Sequence, residues 1–345
     1  MILKHLRLQH FRNYANKEFG FSEATTLVVG PNASGKTNLL EAICLLATGK
    51  SFRAGIESEM IGYGEEMAAV KAEMDPKESL EIILTMGELI GERVAKKIYK
   101  VNGVNRRMMD FIGNLRAVYF GPEDLEIIIN SPSIRRDYLD AVLVQVDKDY
   151  RRASLSYQKG LRQRNRLLEQ IRDEGKPRSV LFFWDKLLIE NGTVITQKRE
   201  EYLQFINQQP DYFGKLKLSY DMSLISPQRL EEYADAEVAA GMTLVGPHRD
   251  DFQISVGERN LHTFGSRGEQ RTAVFSLKLA ELEFIAQKAN DRPVLLLDDV
   301  FSELDHQHRE RVLEVIPKQQ TIITTTDLHL VSGDYQKKME MVKLE

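Results

Sequence analysis

Residues 30–37, GPNASGKT, restrict the fold of this chain more than any other stretch. They match the pattern G-x-x-x-x-G-K-[ST], follow the β-branched run TTLVV (25–29) and precede the helical pattern GKTNLLEAICLLAT (35–48). Glycines at such positions let the backbone curl, so that its N–H groups and the helix N-terminus face a phosphate. The stretch predicts a phosphate-binding loop in an α/β protein; the alternative is an ordinary glycine turn with its lysine in solvent.

Each residue type in this loop suits one part of a bound nucleotide and its metal. The amine of Lys36 is expected to reach the β- and γ-phosphates, and the hydroxyl of Thr37 is expected to ligate Mg²⁺. The predicted nucleotide contacts within and just after the loop are Gly30, Pro31, Asn32, Ala33, Ser34, Gly35, Lys36, Thr37 and Asn38.

Two adjacent carboxylates end the apolar run LLLDD (295–299). In open parallel sheets, ligands gather at the carboxyl ends of strands, and neighbouring carboxylates repel each other unless a cation balances them. We therefore expect Asp298 to hold Mg²⁺ and Asp299 to direct the water that attacks the γ-phosphate. The alternative is a helix-capping acid beside a solvated one.

A helix with an apolar face begins within the stretch SRGEQR (266–271). Ser266 and Glu269 have the spacing of a capping box. A hydroxyl beside the free N–H groups of a helix start is also typical of an anion site. The spacing leaves both interpretations open.

Strand and helix patterns divide the chain into an α/β part and a helical insertion. Strand patterns dominate the first 121 residues and return after residue 214, whereas two long helical patterns fill 150–175 and 179–206. We predict a mixed sheet with helices in an ATPase domain made of residues 1–123 and 208–345, interrupted by an α-helical second domain of residues 124–207.

Bulk composition narrows the class of protein. The chain has 345 residues, a net charge of −4 and one cysteine, Cys44, so no intrachain disulfide can form. A single cysteine fits a reducing cytoplasm, where we expect the protein. Neither a membrane span nor a signal peptide is expected, and the acidic balance gives nucleic-acid binding no global support.

One segment departs from that acidic balance. Residues 148–178 carry ten basic and four acidic side chains, a local surplus of positive charge suited to phosphates. A solvated helix face is the alternative. Since no base-reading module is visible, contacts would be with the DNA backbone. The candidates are Arg151, Arg152, Arg162, Arg164 and Arg166.

The motifs, taken in order, resemble the ABC-type ATPase head of the structural-maintenance-of-chromosomes (SMC), Rad50 and RecF group. They are FRNY (11–14), GPNASGKTNLLEAI (30–43), SRGEQR (266–271), LLLDDVFSELD (295–305) and TTTD (324–327). Further stretches across nearly the whole chain resemble the RecF family: GKSFR (49–53), GPEDLEIIINSPSIRRDYLD (121–140), QRNRLLEQI (163–171) and LVGPHRDDFQI (244–254).

This resemblance implies a slow, DNA-dependent ATPase that uses ATP and Mg²⁺ to close a head-to-tail homodimer on single- or double-stranded DNA in recombinational repair and replication. It implies mediator partners of the RecR and RecO type and no membrane partner. Lys36 and Asp299 would be catalytic, Arg12 and Asn13 would lie near the nucleotide, and Asp305 would lie in the loop that crosses the dimer interface. The signature motif, which contacts the other subunit's nucleotide, would comprise Ser266, Arg267, Gly268, Glu269 and Gln270.

The chain departs from the wider ABC pattern at several places. Arg267 replaces a glycine, Thr326 replaces the switch histidine, and Asp299 replaces the usual glutamate, which is consistent with slow turnover. Residues 122–124 occupy the region of the missing Q-loop glutamine. A transporter ATPase subunit and a P-loop kinase acting on a small molecule are the alternative functions.

Overall fold

The computed structural model describes residues 1–89, 91–210, 216–303, 306–330, 336–337 and 339–345. They form two compact units, the first made of Met1–Asp124 and Leu277–Glu345 and the second of Leu125–Ser276. The first unit's N-terminal segment ends at Asp124, and the division into an ATPase domain and a helical domain stays a prediction. The second unit extends well past the predicted end at residue 207, because a small sheet packs with its helices.

The strands of both units are numbered in chain order. They are β1 (Ile2–Phe11), β2 (Tyr14–Gly20), β3 (Thr25–Val29), β4 (Met67–Asp75), β5 (Glu78–Thr85), β6 (Glu88–Leu89), β7 (Glu92–Arg93), β8 (Lys97–Val101), β9 (Val104–Arg106), β10 (Ala117–Phe120), β11 (Leu216–Asp221), β12 (Asp251–Val256), β13 (Arg259–Asn260), β14 (Val294–Asp298), β15 (Thr321–Thr325) and β16 (Glu340–Lys343).

The α-helices follow in the same order. They are α1 (Lys36–Thr48), α2 (Met108–Phe111), α3 (Glu126–Ile129), α4 (Pro132–Val146), α5 (Lys148–Glu174), α6 (Phe182–Asn207), α7 (Pro227–Glu232), α8 (Ala234–Ala240), α9 (Leu261–Phe264), α10 (Arg267–Ala289), α11 (Val300–Glu303) and α12 (His306–Val315). Within the described part, no helix is both long enough and apolar enough to cross a membrane.

A parallel sheet with the strand order β10-β14-β15-β3-β16 lies at the centre of the first unit. All five residues of β14 and all five of β15 are buried, as expected for inner strands covered on both faces. The register pairs Val29 with Thr325 and Thr324 with Asp298. The carboxyl ends of β3, β15 and β14 are therefore level at one edge of the sheet.

An antiparallel sheet with the order β2-β1-β4-β5-β8-β9 completes the first unit. Leu3, Leu6 and Leu8 of β1 are fully buried while the intervening residues are not, so β1 has one core face and one wetter face. A hairpin turn connects β8 and β9, where Asn102 and Gly103 both adopt positive φ. The α/β prediction is confirmed for this unit.

The second unit is mainly helical. Helices α5 and α6 pack side by side, and Asp147 caps α5 by accepting a hydrogen bond from the Tyr150 N–H. Strands β11, β12 and β13 form an antiparallel sheet that contacts α4 and α6. This sheet explains why the unit does not end with the last long helix.

Helix α5 does not present all of its basic residues to solvent, which corrects two predicted DNA contacts. Arg164 is 2% exposed and pairs with Asp185 at 2.7 Å and Glu237 at 2.7 Å, and Arg151 is 5% exposed. Both side chains are buried, so neither is placed to meet a DNA phosphate. Arg152, Arg162 and Arg166 are exposed or partly exposed, and their contact with DNA stays a prediction.

We expect Arg164→Ala to lower the free energy of unfolding by about 3–5 kcal/mol, because it leaves the fully buried carboxylate of Glu237 without its charged partner. Arg166→Ala is the matched control on the other side of α5 and should change that free energy by less than about 0.5 kcal/mol. Urea titrations of both variants measure the difference. Equal stability of the two variants would contradict the buried role of Arg164.

Candidate nucleotide site

The predicted phosphate loop emerges from the level sheet edge, between β3 and α1. The Gly30 N–H donates to the Thr325 oxygen at 3.3 Å, which anchors the start of the loop to β15. Ala33 and Gly35 adopt positive φ (66° and 103°), so the chain curls before the helix begins. A Cβ on Gly35 would lie 2.5 Å from the Tyr14 hydroxyl, so this position also has no space for a side chain.

The loop has the features of an anion-binding site. The Lys36 amine is buried and donates to the backbone oxygens of Gly30 and Pro31, both at 2.8 Å. Burial lowers the pKa of Lys36, and the negative charges of Asp299 and Asp298 oppose that shift. The buried Ser34 hydroxyl has no hydrogen-bond partner among the described residues, and no side chain caps the N-terminus of α1. Such orphaned donors fit a phosphate.

The FRNY turn lies directly against this loop. The Asn38 amide donates to the Asn13 side-chain oxygen at 2.8 Å, and the Asn13 amide nitrogen is among the atoms nearest to Gly35. The Arg12 guanidinium instead grips the fully buried carboxylate of Glu41 on α1, with nitrogen–oxygen distances of 2.6 and 2.8 Å. Arg12 therefore positions the helix that follows the loop. Direct contact of Arg12 or Asn13 with a nucleotide stays a prediction.

Asp298 ends β14 and is held from two sides. The Thr324 hydroxyl donates to its Oδ1 at 2.5 Å, and the Tyr119 hydroxyl donates to its Oδ2 at 3.2 Å. Burial and the neighbouring carboxylates raise the pKa of Tyr119, so its hydroxyl keeps its proton. Asp298 is itself 4% exposed. The acid thus has a defined orientation, with lone pairs to spare for a water or a cation.

Asp299 has a backbone conformation that few non-glycine residues adopt. Its φ is 51°, and its N–H donates to the Thr324 oxygen at 3.1 Å. This geometry turns the chain sharply from β14 into α11. Backbone strain of this kind is found at functional sites, where the surrounding structure holds it in place.

A Mg²⁺ ion fits the oxygen donors at this edge. Thr37 is half-buried in the first turn of α1, and the Asp298 carboxylate acts electrostatically on Lys36 of the same turn. Among the described residues, no group of three or more His, Cys, Asp or Glu side chains is arranged as a metal site. A nucleotide-bound Mg²⁺ needs only one or two protein oxygens, since phosphates and waters complete its shell.

The predicted signature stretch lies in the second unit and forms the capping box. The Ser266 N–H and hydroxyl both donate to Glu269 Oε2 at 2.9 Å, and the Glu269 N–H donates back to the Ser266 hydroxyl at 3.3 Å. Arg259 pairs with the same carboxylate at 2.7 Å. The Gln270 amide donates to the Leu261 oxygen at 2.9 Å, which ties α10 to α9.

The structure shows no site contact for two of the residues singled out in the sequence, and it adds two residues that the sequence did not predict. Asp305 lies outside the described residues, while Thr326 is exposed one residue beyond β15. Tyr119 and Thr324 were missed as partners of Asp298. Their positions at the ends of β10 and β15 become informative only once the strand order is known.

Three comparisons relate the chain to known proteins. The family model described as "RecF/RecN/SMC N terminal domain" matches residues 2–343. The DNA replication and repair protein RecF of Lachnoclostridium phytofermentans is 36% identical over 340 residues, covering 95% of this chain and 93% of the relative. RecF of an Exiguobacterium species is 36% identical over 351 residues, with the same two coverages.

Solved structures agree with these relatives. A structure described as the recombination mediator protein RecF with ATP, in the RecFOR pathway, superposes with a TM-score of 0.87 at 35% identity, covering 96% of this chain and 94% of that one. An SMC head domain superposes with a TM-score of 0.50 at 17% identity, over 96% and 91% of the two chains, and so supports the fold alone. The predicted ABC-type head fold is confirmed.

We expect Glu269→Ala to speed amide hydrogen exchange at Ser266 and the residues that follow, because it removes the acceptor used by the Ser266 N–H. Glu258→Ala, at an exposed glutamate of the same unit, is the control. These hydrogen bonds hold the pKa of Glu269 below its ordinary value. The protection is therefore present above the ordinary pKa and disappears as the pH falls through the folded one. Exchange measured by NMR that is identical in wild type and variant at neutral pH would contradict the cap.

Proposed function

This chain belongs to the RecF family of DNA replication and repair proteins, within the wider RecF, RecN and SMC group, and we propose that it acts as an ATP-gated clamp on DNA. The observation that supports this most directly is the shared sheet edge. The phosphate loop follows β3 there, next to Thr324 of β15 and Asp298 of β14. Similarity to RecF over 95% of the chain favours the clamp over a transporter subunit or a small-molecule kinase.

ATP binding is the first step of the proposed cycle. The N–H groups of residues 33–37 and the N-terminus of α1 would hold the β-phosphate, with the Ser34 hydroxyl gaining the partner that it lacks among the described residues. The Lys36 amine would exchange the oxygens of Gly30 and Pro31 for phosphate oxygens. Asn13, Asn38 and Arg12 would border the nucleotide. A solved RecF contains ATP by its description, which agrees with this assignment.

Slow hydrolysis is the second step. Mg²⁺ would supply charge neutralisation at the phosphates, held by Thr37 and by Asp298 directly or through water. Asp299 would orient the water that attacks the γ-phosphate, releasing ADP and phosphate. An aspartate is one methylene shorter than a glutamate and reaches less far, which is consistent with weak activity.

Dimerisation couples these steps to DNA. We assign the signature, Ser266 with Arg267, Gly268, Glu269 and Gln270, to contact with the γ-phosphate bound by a second copy of the chain. No Cβ on Gly268 would meet another described atom within 4 Å, so the start of α10 is open to an incoming surface. Asp305 would lie at the same interface. Hydrolysis would remove the bridging phosphate and open the dimer.

DNA would meet the solvent-facing side of α5. Arg152, Lys159, Arg162 and Arg166 lie on that side, at spacings that bring them near one another along the helix. Such a row contacts phosphates and carries no base readout. Mediator partners of the RecR and RecO type follow from the RecFOR pathway named for the solved relatives.

We expect Lys36→Met to weaken ATP binding about 100-fold or more, since it removes charged hydrogen bonds to the phosphates. Lys17→Met, at an exposed lysine of β2, should bind ATP normally. Sedimentation with ATP and Mg²⁺ should show dimers for wild type and Lys17→Met, and monomers for Lys36→Met. A wild-type chain that binds ATP yet stays monomeric at micromolar concentration would sink the clamp proposal.

Charge reversal of Arg162 and Arg166 to Glu should weaken DNA binding in the presence of ATP. It should also reduce the slope of log K against log salt by about 0.9 for each lost phosphate contact. The matched control reverses Lys186 and Lys217, two exposed lysines elsewhere in the second unit. An unchanged slope in fluorescence-anisotropy titrations would assign α5 to the solvated surface instead.

A further inference from the structure

The Asp298 carboxylate depends on two neighbouring strands for its orientation. The Thr324 hydroxyl, near the end of β15, donates to Oδ1 at 2.5 Å. The Tyr119 hydroxyl, near the end of β10, donates to Oδ2 at 3.2 Å. The two hydroxyls approach from opposite neighbours in the strand order β10-β14-β15. A short side chain held in this way has one preferred rotamer.

The Tyr119 ring is itself fixed by its surroundings. It is 8% exposed and stacks on Phe52, with ring centroids 4.0 Å apart and planes at 23°. A Cβ on Gly121 would lie 2.2 Å from the Tyr119 hydroxyl and 3.1 Å from the Asp298 Cβ. The hydroxyl can therefore reach Asp298 only because residue 121 has no side chain.

The same hydroxyl serves a second carboxylate. It donates to Glu123 Oε2 at 2.5 Å, and Glu123 pairs with Arg53 at 3.7 Å. Arg53 in turn donates to the Asn38 side-chain oxygen at 3.3 Å, in the first turns of α1. A tyrosine hydroxyl has a single proton, so Glu123 and Asp298 share one donor. Without that donor, the Glu123 and Asp298 carboxylates would face each other with no proton between them, and Asp298 would keep only the hydrogen bond from Thr324.

We propose that Tyr119 is a positioning residue that holds Asp298 in the orientation in which it receives Mg²⁺ with the nucleotide. The inference rests on the proposed ATP site. It adds a residue that lies outside the phosphate loop, the pair Asp298 and Asp299, and the signature stretch. Tyr119 touches neither nucleotide nor metal; it acts through Asp298, whose oxygens keep further lone pairs for a metal-bound water. Its removal should therefore affect the metal-dependent part of nucleotide binding and spare the part due to the phosphate loop.

The test compares ATP affinity with Mg²⁺ and with EDTA for wild type and Tyr119→Phe. The variant keeps the stacked ring and loses only the hydroxyl. We expect affinity with Mg²⁺ to fall about tenfold and affinity in EDTA to change less than about twofold, as for the loss of one hydrogen bond to a charged group. Mn²⁺ bound to the ATP complex, counted by electron paramagnetic resonance, gives a readout independent of hydrolysis and should weaken in parallel.

Two further variants sharpen the comparison. Gly121→Ala crowds the Tyr119 hydroxyl and also the Asp298 Cβ, so it should lower the affinity with Mg²⁺ at least as much as Tyr119→Phe. Tyr99→Phe is the matched control, a half-buried tyrosine that packs on Phe111 with centroids 5.1 Å apart in the same unit. It should leave both affinities unchanged.

The outcomes separate this inference from the proposed function. Equal losses with Mg²⁺ and EDTA would reduce Tyr119 to a structural residue and overturn the inference, as would no change in either condition. Absence of ATP binding by the wild-type chain would overturn the proposed function first. A thermal unfolding midpoint close to that of wild type shows that the variant remains folded.

Discussion

The ladder that joins β14, β15 and β3 is the interaction on which the candidate site depends. Its register sets Val29 against Thr325 and Thr324 against Asp298, so the phosphate loop and the acidic pair leave the sheet in one row. Backbone hydrogen bonds hold strands roughly 5 Å apart, and this spacing cannot change without breaking the ladder. Every residue of β14 and β15 is buried. Separating these strands would therefore expose their apolar side chains to water, at a cost of about 1.5–3 kcal/mol for each one.

Rigidity of the sheet also explains why strained backbone collects at its edge. Arg12, Ala33 and Asp299 are three of the six non-glycine residues with positive φ in the described part, and all three border the candidate site. Such residues are held only where the surroundings determine them. In this protein the surroundings are the Arg12–Glu41 ion pair, the curl of the loop and the hydrogen bonds from the Asp299 N–H to Thr324. Arg12 and Asp299 thus hold α1 and the end of β14 in place beside the loop.

Sequence patterns predicted those parts of the molecule whose conformation is determined by residues close to one another in the chain. The phosphate loop, the buried strand before Asp298 and the two long helices follow from glycine placement and periodicity, and the structure contains each of them. Strand order depends on contacts between distant segments, so the approach of Tyr119 to Asp298 could not be read from spacing. The short, polar β16 gave no strand signal, yet it pairs with β3. The number of charges along α5 does not show which of them face solvent. Arg164 and Arg166 are two residues apart and lie on opposite sides of the helix, so Arg164 is buried and Arg166 is exposed.

The capping box at α10 and the proposed signature role use the same groups, and this overlap has an energetic consequence. The Ser266 hydroxyl donates to Glu269, and the Ser266 N–H donates to the same oxygen. A phosphate arriving from a second subunit would compete with that carboxylate for both donors, and two anions cannot share them without repulsion. The net free energy of binding that phosphate would be the difference between its hydrogen bonds and those of the Glu269 carboxylate, which is smaller than the full strength of the new hydrogen bonds. Arg259, which pairs with Glu269 at 2.7 Å, would reduce the repulsion that such a phosphate meets. A modest difference of this kind would suit the proposed contact, which would form with ATP and break after hydrolysis.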